Sequence, residues 1–183
     1  MIDPIVILLA IAASASEHQL PALEAFDQLC GESETVADVQ REALELGWAV
    51  HSPEEGSEHA RLAAELSRTP SNEFELDLRV FQSGSGDLTA FALDLKSPSG
   101  EAVLECKVND DSIVRPTEGE LLEWAGREPS KRRGSGSAEV LEWAPSHLPA
   151  PRSVMVYHVP LASEPEWPGK GLMVTSLRYY EIN

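Results

Sequence analysis

Positive charge is scarce in this chain: 14 Lys and Arg stand against 31 Asp and Glu, a formal net charge of −17. Nucleic acids and anionic membrane surfaces demand a positive field, so neither is expected as a partner. Cysteine is nearly absent, with Cys30 and Cys106 the only two. They lie too far apart for a Cys-x-x-Cys redox motif. Beyond the first fifteen residues, no apolar run approaches the length of a membrane-spanning helix. Catalytic signatures are missing as well. Gly84-Ser85-Gly86 and Gly134-Ser135-Gly136 have the wrong spacing for a nucleophile elbow and fall in turn or linker segments. There is no Ser-x-x-Lys, no His-Glu-x-x-His, no phosphate-cradling Gly-rich loop and no EF-hand calcium loop. No Asn-x-Ser/Thr glycan acceptor occurs.

What is there begins at the N-terminus. Ile5–Ala13 is an apolar run, and Ala13-Ser14-Ala15 follows with the small-residue pattern of a leader-peptide cleavage site. As a helix, Ile5–Ala15 covers only about 16 Å, short of the roughly 30 Å of a bilayer core. The segment therefore predicts export, with residues 1–15 as a signal peptide, although Asp3 stands where Lys or Arg is usual. In an oxidising compartment two cysteines allow one intrachain bridge, and closing so long a loop contributes about 4 kcal/mol. The acid is uneven: Glu17–Glu75 carries a net −11, Leu76–Asn183 a net −5. An electrostatic partner site is thus expected in the N-terminal part.

Three- and four-residue spacing of Leu23, Phe26 and Cys30 predicts an amphipathic helix over Ala22–Cys30, stopped by Gly31. A second helix starts near Ser33 or Thr35, with Val36, Val39, Ala43 and Leu46 on one face. Gly47 ends it, and Trp48 is expected to pack back. Ser52-Pro53-Glu54-Glu55 is a capping box opening a third, more polar helix over Pro53–Ser67. At Asn72 the period changes to two. Phe74–Val80, Phe91–Leu95 and Ala102–Val108 alternate around the turns Ser83–Asp87 and Ser97–Gly100, predicting an antiparallel meander. That alternation points Cys106 inward, toward the first helix and Cys30. Thr117-Glu118-Gly119-Glu120 caps a short helix ending at Gly126. Arg127–Gly136 reads as a flexible basic loop. Strands over Ala138–Trp143, Arg152–Val159 and Leu172–Tyr180 follow, the middle one apolar on both faces and so central.

Among chemistry-bearing residues, the densest constellation is His51, Glu54, Glu55, Glu58 and His59. Helical spacing places Glu55 and His59 at i and i+4, as a two-ligand metal clip requires. A solvated helix face explains the same residues more simply, since carboxylates belong in a first helical turn. Asn109-Asp110-Asp111 pairs carboxylates at a strand end, where turn chemistry is the plainer account. His158 reads as a core or edge histidine. Trp48, Trp124, Trp143 and Trp167 read as packing residues, and Lys131-Arg132-Arg133 as a solvated loop.

Phe26-x-x-x-Cys30, the helix with Ala43 before Gly47-Trp48, and Cys106-x-Val108 followed by an Asp pair and a short helix resemble small exported proteins of proteobacteria. The resemblance implies export, an α+β domain and a Cys30–Cys106 bridge, and it implies no activity. The acidic first residues and the basic 127–133 segment depart from it.

The expectation is an α+β domain over residues 16–183, with N-terminal helices packed on an antiparallel sheet of about six strands. One helix separates two three-stranded segments. Functionally the chain reads as a periplasmic or secreted, non-enzymatic binding or interaction module, using its sheet face or acidic helices. Its partner is another protein or a small ligand, with no nucleic acid, no stable membrane insertion after processing, and no cofactor, metal or catalytic residue assigned. The alternative is a metal-dependent or acid/base hydrolase using His51, Glu55 and His59.

Overall fold

Period-two alternation across two halves of the chain builds one antiparallel sheet. The computed structural model describes residues 20–52, 75–111, 115–135, 138–149, 152–159 and 171–182. The element order is α1 (Pro21–Cys30), α2 (Val36–Glu45), β1 (Ala49–Val50), β2 (Glu75–Gln82), β3 (Leu88–Lys96), β4 (Glu101–Asp110), α3 (Glu118–Ala125), β5 (Lys131–Ser135), β6 (Ala138–Trp143), β7 (Ser153–Val159) and β8 (Gly171–Glu181). The strands form a single eight-stranded sheet in the order β1-β2-β3-β4-β8-β7-β6-β5. Two meanders, β1–β4 and β5–β8, are thus joined edge to edge by β4 and β8, with Cys106 opposite Ser176 and Glu105 opposite Leu177.

Eight strands stand where about six were expected. The two additions are the edges. β1 is two residues pairing Ala49 and Val50 with Gln82 and Phe81, too short to show alternation. β5 is the Lys131–Ser135 stretch expected as a loop; it pairs with β6, Arg133 opposite Val140. Its composition carries no strand propensity, so the pairing comes from its neighbour and from charge. Lys131 and Arg133 bond Glu142 at 3.6 and 2.9 Å, and Arg132 bonds Glu118 and Glu128 at 2.6 and 3.0 Å. β7 is interior, although the centre of the sheet belongs to β4 and β8. The helix expected over 53–67 and the apolar leader lie outside the described residues.

Local chemistry sets the helix ends. Thr35 caps α2 and Thr117 caps α3, each in a capping box with Asp38 and Glu120. α2 ends as Trp48 N–H donates to the Ala43 carbonyl and Gly47 N–H to that of Leu44, with Gly47 at a positive φ of 76°. Trp48 is buried. Leu46, expected on the inner face, is exposed because it caps the helix where the chain turns away. Gly31 stops α1 while keeping a right-handed helical conformation.

The three described helices lie on one face. α1 covers β4 and β8, and α2 covers β2 and β3. Phe26, Leu29, Val39, Phe81, Leu104, Val108, Trp143, Val154 and Val174 share one buried cluster between helices and sheet. Each large side chain there contributes about 1.5–3 kcal/mol by leaving water. Cys30 and Cys106 are bonded, with Cα atoms 5.7 Å apart, tying α1 to β4. Among the described residues, no helix is long and apolar enough to cross a membrane.

Candidate functional site

The face opposite the described helices follows from the same alternation. On β4 the odd-numbered side chains Val103, Glu105 and Lys107 point away from Cys106. The register sets them beside Tyr179, Leu177 and Thr175 of β8. β7 then adds Met155 beside Thr175 and Tyr157 beside Met173. The result is a hollow of about 290 Å³ lined by Glu105, Lys107, Met155, Tyr157, Met173, Thr175 and Leu177. Its walls are thioether, aromatic and aliphatic, with one carboxyl, one ammonium and two hydroxyls. Such a mixture of apolar lining and a few polar groups is what ligand sites are made of, here near the small end of the size range.

The charged pair in this hollow is not an ion pair. Lys107 Nζ sits 5.3 Å above the centre of the Phe91 ring, from β3. Glu105 is half-buried beside Leu93 and Leu177, and among the described residues no hydrogen bond or ion pair reaches its carboxyl. Burial pushes its pKa above the usual carboxylate range, and the nearby Lys107 charge opposes that shift in part. Tyr157 donates its hydroxyl proton to the Met155 sulfur at 3.0 Å. Burial raises its pKa as well, with the Glu105 charge adding to the effect. Thr175 and Met173 are buried floor residues. Further along the same strands, Val103 and Tyr179 line a wider hollow of about 540 Å³, where Tyr179 is 72% exposed.

A third hollow, of about 580 Å³, lies between α1 and α2. Its rim includes Asp27, Glu32, Glu34, Asp38 and Glu42, in the acidic half of the chain. Several of its charges have local partners: Asp38 accepts from Thr35 and Arg41, which holds its carboxyl below the usual range. Of the hydrolase constellation, only His51 can be placed. It is half-buried, and its backbone N–H donates to the Val80 carbonyl at 2.8 Å. Glu54, Glu55, Glu58 and His59 lie outside the described residues. Among the described residues, no group of three His, Cys, Asp or Glu is arranged to hold a metal ion. Asn109 donates from Nδ2 to Asp111 at 2.7 Å where β4 ends, which is turn chemistry. His158 is half-buried near Arg115 and Glu139, and burial pulls its pKa down. Trp124 stacks edge-on against Phe26, Trp143 and His147, and Trp143 is buried. Trp167 lies outside the described residues.

Two features escaped the sequence. The hollow did, because Glu105 and Lys107 look like the solvated side of a strand until β7 and β8 place Met155, Tyr157 and Met173 beside them. Arg152 did too. It is 4% exposed and donates to the carbonyls of Cys30 at 2.6 Å and Ser33 at 2.5 Å. This cation at the α1 C-terminus satisfies carbonyls the helix leaves open and complements its dipole. Burial, with Arg178 nearby, lowers the Arg152 pKa from its ordinary value. Compared with known protein families, with curated proteins and with solved structures, the chain has no match in any of the three.

Proposed function

We propose that the protein is an exported, non-enzymatic binding module that takes a small ligand on the sheet face opposite its helices. The observation that carries this reading is the hollow around Glu105, Lys107 and Tyr157. It is an apolar surface mounted on three hydrogen-bonded interior strands, holding polar groups that the protein does not pair with one another. Strand-mounted side chains keep their positions, so the hollow is formed before any ligand arrives. Export is supported by the apolar Ile5–Ala13 run with its Ala-Ser-Ala end and by the Cys30–Cys106 bridge.

Two measurements test it. Methyl NMR of the full chain, titrated with a panel of alkylamines, alkanoates, aromatic acids and apolar amino acids, should give saturable shifts at Met155 and Met173. A panel that leaves both methyls unmoved at millimolar concentration rules the reading out. For export, N-terminal sequencing of protein from its native host should find the chain beginning near Ser16. An intact Met1 or Ile2 would overturn that part.

A further inference from the structure

Glu105 and Lys107 rise from one face of β4 two residues apart, about 7 Å along the strand. Opposite charges so placed in an apolar hollow usually close on each other. Here they do not, since Lys107 lies over the Phe91 ring and the Glu105 carboxyl has no bonded partner among the described residues. The other titratable groups on this face of the described strands are Tyr157 of β7, bonded to Met155, Glu142 of β6, bonded to Lys131 and Arg133 of β5 at 3.6 and 2.9 Å, and, further along β4 and β8, Glu101, Tyr179 and Glu181. β3 contributes only Phe91 and Leu93 beside the pair.

A ligand carrying only an ammonium would pair with Glu105 but lie close to the like charge of Lys107, and one carrying only a carboxylate would pair with Lys107 but lie close to Glu105. A neutral apolar ligand would strip water from Glu105 and offer nothing in return, an unfavourable exchange. A molecule with both charges on one carbon meets each with its opposite and adds no net charge to the hollow. Two hydrogen bonds of about 2.8 Å at its ends let it bridge side chains this far apart. Its apolar substituent then lies against Met155, Met173 and Leu177, and the buried Thr175 hydroxyl sits beside the Lys107 end.

We therefore propose that the hollow is a site for an apolar α-amino acid, its ammonium held by Glu105 and its carboxylate by Lys107. The proposal rests on the reading of this hollow as a ligand site. The test is a titration of the full chain with L-leucine, N-acetyl-L-leucine and L-leucinamide, by calorimetry and by the Met155 and Met173 methyl signals. Leucine should bind at least tenfold more tightly than either blocked form. Glu105→Gln should abolish the preference over N-acetyl-leucine, and Lys107→Met the preference over leucinamide. Equal binding of all three to the unaltered protein would overturn the amino-acid site while leaving the hollow as a ligand site, and that comparison needs no variant to fold. No response to any of the three, with alkylamines or alkanoates still moving the methyls, would overturn it equally. Failure of the whole panel removes both readings.

Discussion

Replacing Arg152 with Met separates the two roles of its side chain, because Met keeps the apolar stem and deletes the guanidinium. In the native fold that group donates at 2.6 Å and 2.5 Å to the Cys30 and Ser33 carbonyls. Charge-assisted hydrogen bonds of this kind contribute about 1.5–3 kcal/mol each. Against them stands the cost of holding a cation away from water, itself several kcal/mol. Met relieves that cost but leaves two buried carbonyls without a donor, at about 1–3 kcal/mol each. The balance is an expected loss of about 2–4 kcal/mol. Arg152→Lys keeps the charge but reaches only one carbonyl well, so its loss should be about half as large. Urea unfolding with the disulfide intact reads both, as a lower midpoint at unchanged slope. A Met variant within about 0.5 kcal/mol of the parent, or a Lys variant less stable than the Met one, would refute the claim that these bonds hold α1 in place.

Replacing both Cys30 and Cys106 with Ala should lower stability by about 4 kcal/mol in the chain-entropy account; unfolding midpoints equal to those of the oxidised parent would contradict it. Glu105→Gln should stabilise the protein at pH 7. Because the folded-state pKa is raised, the unfolded chain loses this proton first, and wild-type stability falls as pH climbs from the ordinary carboxylate value through the folded one. The variant should lack that fall, and matching pH profiles from paired melts at pH 3.5 and 7 would count against it. Changing Lys131, Arg132 and Arg133 together to Ser removes four exposed ion-pair contacts, each contributing at most about 1 kcal/mol. Hydrogen exchange should then show β5 amides opening faster and β7 amides unchanged; an unaltered β5 would mean that backbone pairing alone holds the edge.

Much of the architecture was readable because it follows from period and capping. The alternation through Leu76, Leu78 and Val80, the Ser-Gly turns and Thr117-x-x-Glu120 all act within a few residues, and the described strand, turns and helix lie where those rules place them. Cys106 pointed inward for the same local reason. What local rules do not contain is which strands become neighbours. Nothing near Glu105 reveals that β8, about seventy residues later, will lie beside it and bring β7 alongside. β5 departs from the expected loop on the same ground, since Lys-Arg-Arg-Gly-Ser has no strand character until Glu142 on β6 gives its charges a partner. Arg152 looked like an ordinary charge between proline and an apolar strand, and its partners are carbonyls more than a hundred residues upstream.

The β4–β8 pairing also has a consequence in time. β4 meets β8 in the register Glu101 to Glu181 and Asp110 to Leu172, so the ladder at the middle of the sheet waits for β8, about sixty residues further along the chain, to be made. Until then a growing chain has an incomplete half-sheet, with the hydrogen-bonding edge of β4 open. Sequence separation of this size slows folding and leaves an edge that other chains can pair with. Cys30 and Cys106 both precede β8 in the chain, so their bridge is available to anchor α1 on the half-sheet before β8 arrives.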